Sequence, residues 1–199
     1  MFPSAFTQFA EIVKDVNGNP IVPSKRYYIW PNYFEKGGEV RLGNTGNTSC
    51  HFGVFQEYDL SGGVGLPVKF IPRDTSTGDP ISTGNKLDIV FENKPECAES
   101  SKWVVVKNYI YNHTKWLAVD GVEKYYGGLM IMDGWFEFWI LDTGYGILFN
   151  TLNNVGSYIE RNDEENGMRL VFRDFSTRQL PFRMVFVDVD AVRTGRSVV

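Results

Sequence analysis

Residues 11–30 read EIVKDVNGNPIVPSKRYYIW: two short apolar segments flank a polar turn, and an aromatic strand follows. Asn17 and Gly18 both tolerate a positive φ, so this pair between apolar segments is typical of a tight hairpin turn. The alternating oxygen-bearing side chains that start at Asp15 also resemble a calcium-binding loop. Such a loop needs glycine at its sixth position and glutamate at its twelfth, and here those positions hold Pro20 and Arg26. The stretch therefore predicts a β-hairpin and not a metal site.

The rest of the chain continues this alternation of short apolar segments and turns. Valine occurs 21 times against 5 alanines, and there are 15 phenylalanines and 10 tyrosines, which favours strands over helices. No sustained 3.6-residue apolar period occurs, so little helix is expected. About twelve strands are predicted, at residues 26–30, 40–42, 53–56, 67–71, 87–91, 103–106, 116–119, 135–141, 146–149, 157–160, 168–172 and 182–187. Strands of this length and spacing indicate an all-β sandwich or barrel.

A weak internal repeat narrows the fold further. Aromatic-led strands open three units, at residues 27–29, 103–105 and 145–149. Apolar strands close the units at residues 87–91, 136–140 and 182–186. Three units of about four strands each predict an all-β β-trefoil with pseudo-threefold symmetry. We expect the opening strands to form a barrel and the other strands to cap it.

Composition and motifs exclude several classes of function. The net charge is −4 and the pI is near 5.3, and no Lys/Arg cluster supplies the basic face that nucleic-acid binding requires. No segment approaches the roughly 18 apolar residues of a membrane span. The two histidines, His51 and His113, stand outside any catalytic motif, and no phosphate-binding glycine loop occurs. We expect no enzymatic activity, no cofactor, no metal, no nucleic-acid partner and no membrane partner.

The cysteines and the candidate glycosylation sites give limited information on whether the protein is secreted. Cys50 and Cys97 are either one disulfide or two free thiols, and composition alone leaves both alternatives open. The triplets that begin at Asn47 and Asn112 are candidate glycosylation sites, which favours secretion only slightly. The first residues lack the basic and continuous apolar regions of a signal peptide, so the numbering is expected to begin near a mature end.

Near the other end of the chain, Asp188 and Asp190 alternate with valines. Alternation of this kind predicts that both carboxylates lie on the wet face of an edge strand.

Short motifs in a recognisable order run from Ile12 to Phe186. They are Val13-x-Asp15-x-x-Gly18-Asn19-Pro20, Tyr27-Tyr28-Ile29-x-Pro31, Gly37-Gly38, Cys50, Gly65-Leu66-Pro67-Val68, the strand at 87–91, Cys97, Ser100-x-x-Trp103-x-Val105, Trp135-Phe136, Tyr145-x-x-Leu148-Phe149, Arg169-Leu170-Val171 and Leu180-Pro181. In their order and spacing the chain resembles the plant Kunitz-type (soybean trypsin inhibitor) family, as a divergent member with a single disulfide.

This resemblance implies a β-trefoil in which Cys50 and Cys97 form the family's first disulfide. Closing a loop of this length would stabilise the fold by about 4 kcal/mol in the chain-entropy model. The resemblance also implies an extracellular or vacuolar location, and we expect a monomer. The expected division is an N-terminal extension at 1–11, a trefoil domain at 12–190 and a flexible C-terminal tail at 191–199.

Many members of that family inhibit serine proteases with an exposed loop that enters the protease cleft as a substrate would. The resemblance places this loop at residues 71–79, between the fourth and fifth strands. Arg73 is its only basic residue and is the expected occupant of a trypsin-like primary pocket. The alternative is that Arg73 is an ordinary surface charge. The candidate site residues are Pro72, Arg73, Asp74, Thr75 and Ser76.

Three features depart from the family's pattern. Asp74 follows Arg73, and an acid in that position fits trypsin-like clefts poorly. Pro23 stands where typical inhibitors carry an asparagine that braces the loop 71–79. Residues 150–154 replace a cysteine of the family's second disulfide, which predicts that the chain is looser at 150–154. A noninhibitory role in storage, taste modification, carbohydrate binding or defence therefore remains an alternative. The partner of an inhibitory chain would be a serine protease or, failing that, a cysteine or aspartic protease.

Overall fold

Thirteen antiparallel strands dominate the computed structural model, which describes residues 10–32, 37–44, 50, 52–58, 65–74, 76, 78–108, 114–124, 128–164, 167–174 and 180–193. The helices described in these ranges are one 3₁₀ turn, Val122–Lys124, and one α-helix, α1 (Val189–Arg193). The low helix content that composition predicted is confirmed for this part of the chain. The strands are β1 (Tyr27–Pro31), β2 (Val40–Gly43), β3 (Gly53–Gln56), β4 (Val68–Pro72), β5 (Leu87–Phe91), β6 (Trp103–Asn108), β7 (Lys115–Val119), β8 (Leu129–Ile131), β9 (Trp135–Ile140), β10 (Tyr145–Thr151), β11 (Asn154–Glu164), β12 (Gly167–Asp174) and β13 (Met184–Asp188).

Six of these strands form a closed barrel. Going round the ring, β1 pairs with β4, β4 with β5, β5 with β9, β9 with β10, β10 with β13, and β13 with β1. The pairing of Tyr145 with Met184 joins β10 to β13 and closes the ring. Closure leaves these strands without a free edge along the ring, which removes the hazard of edge-to-edge association.

Three hairpins, β2–β3, β6–β7 and β11–β12, cap one end of the barrel. Each hairpin contributes one strand to a triangle of pairings: β3 meets β7, β7 meets β12, and β12 meets β3. A six-stranded barrel with three mutually paired hairpins is a β-trefoil, so the predicted fold class is confirmed.

Two details of the predicted strand arrangement were wrong. The strand that begins at Trp103 belongs to a cap hairpin, and the second unit opens instead with β5. The barrel takes the first and last strands of the units β1–β4, β5–β9 and β10–β13. β8 was not predicted, because three apolar residues next to a glycine pair are too short to give a strand pattern. It forms because the outer edge of β6 is available to residues 129–131.

Aromatic side chains fill the barrel. Phe70 of β4 is fully buried, and its ring centroid lies 5.8 Å from that of Tyr27, 4.9 Å from Phe138 and 5.2 Å from Phe186. These four rings come from four different barrel strands. Tyr27 stacks on Phe70, whereas Phe138 and Phe186 meet it edge-to-face, and both kinds of contact add to the free energy gained by burial. A second group, which includes Trp103, Phe136, Phe149 and Phe172, lies where the barrel meets the cap.

The prediction for Asp188 was wrong. Only 6% of Asp188 is exposed, because its carboxylate turns back to accept a 2.6 Å hydrogen bond from Lys25 Nζ and a 2.9 Å bond from the Asp190 amide. Asp190 lies in α1 and not in a strand. The strand β13 therefore ends in an ion pair that joins it to the segment before β1, and not in a wet edge.

Candidate functional site

The loop between β4 and β5 leaves the barrel as an exposed excursion. The β4–β5 ladder extends one residue past the pairing of Pro72 with Leu87, because the Arg73 amide donates a 2.8 Å hydrogen bond to the Lys86 carbonyl. Beyond this bond the described residues of the loop are exposed until the chain returns at Ile81, which is 1% exposed. The exposed positions are 73, 74, 76 and 78–80.

The returning leg of the loop is held by the N-terminal hairpin. The Val13 amide donates a 2.9 Å hydrogen bond to the Ile81 carbonyl, and the Ile81 amide donates one of 2.9 Å to the Ile21 carbonyl. The next bond between the same two segments runs from the Thr83 amide to the Glu11 carbonyl, at 2.9 Å. The Ile21 amide donates in turn to the Val13 carbonyl at 2.9 Å, so Val13, Ile21 and Ile81 form a closed triangle of backbone hydrogen bonds in which the donor and the acceptor of Ile81 are both used.

The N-terminal hairpin is itself a fixed support. Val13 and Ile21 are fully buried. The Val16 amide donates to the Phe186 carbonyl at 2.9 Å, and the Lys14 amide donates to the Tyr145 hydroxyl at 3.0 Å. These bonds attach the hairpin to β13 and β10. The hairpin therefore connects the returning leg of the loop to the barrel.

Asp15 organises the turn of that hairpin. Its Oδ1 accepts hydrogen bonds from the amides of Asn17 at 2.9 Å and Asn19 at 2.8 Å, and Gly18 has a φ of +80°. The Asn19 side-chain amide donates to Asp15 Oδ2 at 3.2 Å. Both carboxylate oxygens thus serve the chain, as in an Asx turn. The predicted hairpin turn is confirmed.

Pro23 does not leave the loop without support. It lies in a turn in which the Lys25 amide donates to the Val22 carbonyl at 3.2 Å. The loop is supported instead by the main-chain hydrogen bonds of Val13 and Ile21. The side chain of Asn19 is used within the hairpin turn. A brace made from backbone is compatible with almost any side chain, which is why sequence reasoning did not find it.

Arg73 is drawn into an ion pair at the base of the loop. Its Nη2 and Nε donate to Asp88 Oδ1 at 2.5 Å and 3.1 Å, and Lys102 Nζ lies 3.0 Å from the same oxygen. Burial alone would raise the pKa of Asp88, but the hydrogen bonds from Arg73 and Lys102 outweigh it, and the pKa lies below its usual value. Asp88 therefore stays ionised and holds two cations.

Of the other predicted loop residues, Asp74 and Ser76 lie on the exposed excursion. Pro72 is the buried last residue of β4. Asp74 Oδ2 accepts a long 3.4 Å bond from the Lys86 amide, and the Ser76 carbonyl accepts a 3.1 Å bond from the Asp79 amide, which closes a turn at the tip. Thr75 lies outside the described residues.

Cys50 and Cys97 form a disulfide, with their Cα atoms 6.1 Å apart. It joins the segment before β3 to the segment after β5, and both residues are half-buried. The candidate glycosylation sites Asn47 and Asn112 lie outside the described residues.

The segment that replaces the second disulfide is a short hairpin turn. Asn150 Oδ1 accepts a 3.0 Å bond from the Gly156 amide, which ties the two strands together across the turn. Leu152 at its tip is 86% exposed. A side-chain amide thus makes a cross-strand link where the family has a covalent one.

One group of carboxylates among the described residues is close enough to hold a cation. The oxygens of Glu99, Asp120 and Glu123 lie within 4.8 Å of one another. Two of the three carboxylates already have partners, because Lys124 pairs with Glu99 and the Ser100 hydroxyl donates to Asp120 at 2.9 Å.

Neither helix in the described ranges is long and apolar enough to span a membrane.

The described residues thus form a β-trefoil in which the exposed loop between β4 and β5 is braced by an N-terminal hairpin. Comparison with known proteins identifies the family. The profile of the legume Kunitz family, described as "Trypsin and protease inhibitor", matches residues 13–187. The chain belongs to this family.

Individual relatives agree with that assignment. The "Kunitz-type trypsin inhibitor-like 1 protein" of Pisum sativum is 35% identical over 190 residues, which cover 91% of this chain and 82% of the relative. The "Subtilisin inhibitor CLSI-II" of Canavalia lineata is 33% identical over 190 residues, which cover 89% and 92%. The crystal structure of a Kunitz-type trypsin inhibitor from Cicer arietinum is 37% identical, with a TM-score of 0.78 over 90% of this chain and 99% of that one.

Proposed function

We propose that this chain inhibits serine proteases by inserting loop 71–79 into the protease active site as a substrate would enter it. The observation that carries the proposal is that the loop is exposed at its tip and fixed at both ends. One end is held by the Arg73–Lys86 backbone bond, and the other by the bonds of Ile81 to the N-terminal hairpin.

Fixing both ends matters because ordering a loop costs free energy. A flexible peptide loses backbone entropy of about 1–2 kcal/mol per residue when a protease holds it extended. A loop whose ends are already held has lost part of that freedom on folding, so more of the contact energy remains as affinity. The same support keeps the two ends of a cleaved bond together, which favours its resynthesis over release of products.

The relatives support an inhibitory role. Those reported above are named for inhibition of trypsin or of subtilisin, and subtilisin is also a serine protease. The loop contact would be made by Pro72, Arg73, Asp74, Thr75 and Ser76. The chain would act as a secreted, extracellular or vacuolar monomer, with Asn47 and Asn112 as its candidate glycosylation sites.

Titration against a panel of proteases tests the proposal. The purified chain is added to trypsin, chymotrypsin, pancreatic elastase, subtilisin and the cysteine protease papain, and residual activity is plotted against molar ratio. Stoichiometric inhibition of at least one serine protease is expected. Inertness toward all four serine proteases would reject the proposal, and inertness toward papain as well would leave the noninhibitory alternative.

A loop variant then ties inhibition to residues 71–79. The triple variant Asp74→Gly, Ser76→Gly and Asp79→Gly should lose inhibition, because glycines restore the flexibility that the loop lacks. The matched control is Leu152→Gly with Asn153→Gly in another exposed turn, and it should inhibit as the wild type does. Equal loss in both variants would place the inhibitory surface elsewhere.

A further inference from the structure

The single cation of loop 71–79 is already used within the molecule. Arg73 is the only lysine or arginine in this segment. Two of its guanidinium nitrogens donate to one oxygen of Asp88, at 2.5 Å and 3.1 Å. To enter the acidic primary pocket of a trypsin-like protease, the guanidinium would first have to leave this carboxylate.

The backbone of Arg73 is also in the wrong place for a scissile bond. Its amide continues the β4–β5 ladder through the 2.8 Å bond to the Lys86 carbonyl. Arg73 directly follows Pro72, the buried last residue of β4. A protease must contact residues on both sides of the bond that it cuts, and Pro72, immediately before Arg73, is buried.

The segment after Arg73 has different chemistry. Residues 74–79 read DTSTGD and contain two acids, four small residues and no base. Asp74, Ser76, Gly78 and Asp79 are all exposed. Two exposed carboxylates would be repelled by an acidic pocket, and like charges across an interface weaken binding and slow association. Small side chains suit a pocket that is narrow and uncharged.

Asp88 is well placed to keep Arg73 at the base of the loop. It lies on β5, with its backbone opposite Ile71 of β4, so the ion pair spans the two strands from which the loop emerges. Lys102 reaches the same oxygen from just before β6. The carboxylate is thus fixed by a strand and by a second cation, independently of the loop.

We infer that Arg73 is a positioning residue that holds the base of the loop through Asp88. The residue that enters the protease lies within 74–79, and the target is a serine protease whose primary pocket is uncharged and accepts a small side chain. This inference rests on the proposed function and specifies its substrate-like residue and its class of partner.

Mapping the cleaved bond tests the inference directly. Substrate-like inhibitors are cut slowly at one bond, so the chain is incubated with catalytic amounts of elastase, subtilisin and, separately, trypsin, and mass spectrometry locates the nick. The expected cut falls between residues 74 and 80 in elastase or subtilisin, together with stoichiometric inhibition of that enzyme. A single cut after Arg73 by trypsin, with tight inhibition of trypsin, would overturn the inference and leave the proposed function intact.

Two substitutions at Arg73 separate its possible roles. If Arg73 is a positioning residue, both Arg73→Lys and Arg73→Gln should keep the same cut site. Arg73→Lys, which can still pair with Asp88, should keep the wild-type Ki for elastase or subtilisin, and Arg73→Gln should raise that Ki by about tenfold. If Arg73 fills the pocket, Arg73→Lys should keep trypsin inhibition while Arg73→Gln weakens it by at least about a hundredfold. The second pattern rejects the inference.

Lys102→Gln is the matched control, because it removes the other cation from Asp88 and leaves Arg73 in place. The cut site and the Ki should not change. Circular dichroism and thermal unfolding of each variant establish that it is folded. If no serine protease is inhibited by any variant, the proposed function fails and the inference falls with it.

Discussion

The amide of Val13 donates a 2.9 Å hydrogen bond to the carbonyl of Ile81, and this bond joins the first hairpin of the chain to the returning leg of the loop 71–79. The two residues are far apart in sequence, and both are buried. The chain therefore builds its exposed loop on a support that comes from the opposite end of the first trefoil unit. Loss of the support should affect the loop before it affects the barrel.

Truncation of Ile81 tests this support. Ile81→Ala removes a fully buried side chain from between the hairpin and the loop, and we expect it to lower the free energy of unfolding by about 2–4 kcal/mol. It should also speed proteolytic cutting within 71–79 and weaken inhibition, because the loop has more freedom. Urea unfolding and a time course of cleavage measure the two effects. Pro80→Ala, at an exposed neighbour, is the control, and equal destabilisation by both would contradict the support described above.

Acid should weaken the ion pair at the end of β13. Burial alone would raise the pKa of Asp188, but hydrogen bonds from Lys25 Nζ and the Asp190 amide outweigh it, and the pKa lies below its usual value. A carboxyl whose pKa falls on folding contributes stability above its unfolded pKa of about 3.9, and the contribution disappears as pH drops through the folded value.

Asp188→Asn should therefore cost about 1–3 kcal/mol of unfolding free energy at pH 7 and much less near pH 2. Chemical denaturation of both proteins across this pH range gives the difference. Asp142→Asn, whose carboxylate pairs with Arg183 but is 71% exposed, should change stability by less than about 1 kcal/mol at either pH. A cost for Asp188→Asn that does not depend on pH would show that the charge of Asp188 is not what stabilises the fold.

Removal of the disulfide should destabilise the chain without changing its fold. Cys50 and Cys97 are 47 positions apart, and the chain-entropy model gives about 4 kcal/mol for closing such a loop. Cys50→Ala combined with Cys97→Ala should unfold at a lower denaturant concentration while its far-UV circular dichroism stays that of the wild type. Reduction of the wild type should reproduce the shift. A double variant as stable as the oxidised wild type would contradict the prediction.

Phe70 should be among the most sensitive core positions. Its ring contacts three aromatic rings from three other barrel strands, and Phe70→Ala should cost about 3–5 kcal/mol. Phe70→Leu keeps most of the volume and should cost less than half as much. Calorimetric unfolding of both variants provides the comparison, and similar costs for the two would show that cavity size is not the main term.

Much of the fold could be predicted because its signals are local. The Asn17-Gly18 turn and the short valine-rich strands are properties of neighbouring residues, and the three-unit repeat follows from the order of such strands along the chain. The structure has a β-trefoil with a hairpin turn at Asp15. β8 and the true ring of barrel strands could not be predicted, because both depend on which strand edge is free after the rest has paired. The prediction that Asp188 is exposed failed for the same reason. Alternation with valine indicates a solvent-facing side chain, but Lys25, far away in the sequence, forms an ion pair with it.

The amino-acid sequence alone determined the class of fold, because turn chemistry, strand preference and apolar alternation act over a few residues. The order of its motifs also carried the family resemblance, which implied a loop at 71–79. Only the tertiary structure decided that Arg73 is bound to Asp88 and that backbone bonds of Val13 and Ile21 replace a bracing side chain. The physical reason is that an ion pair or a hydrogen bond between distant segments depends on strand register. Register is set by the packing of the whole barrel, and no short stretch of the chain records it.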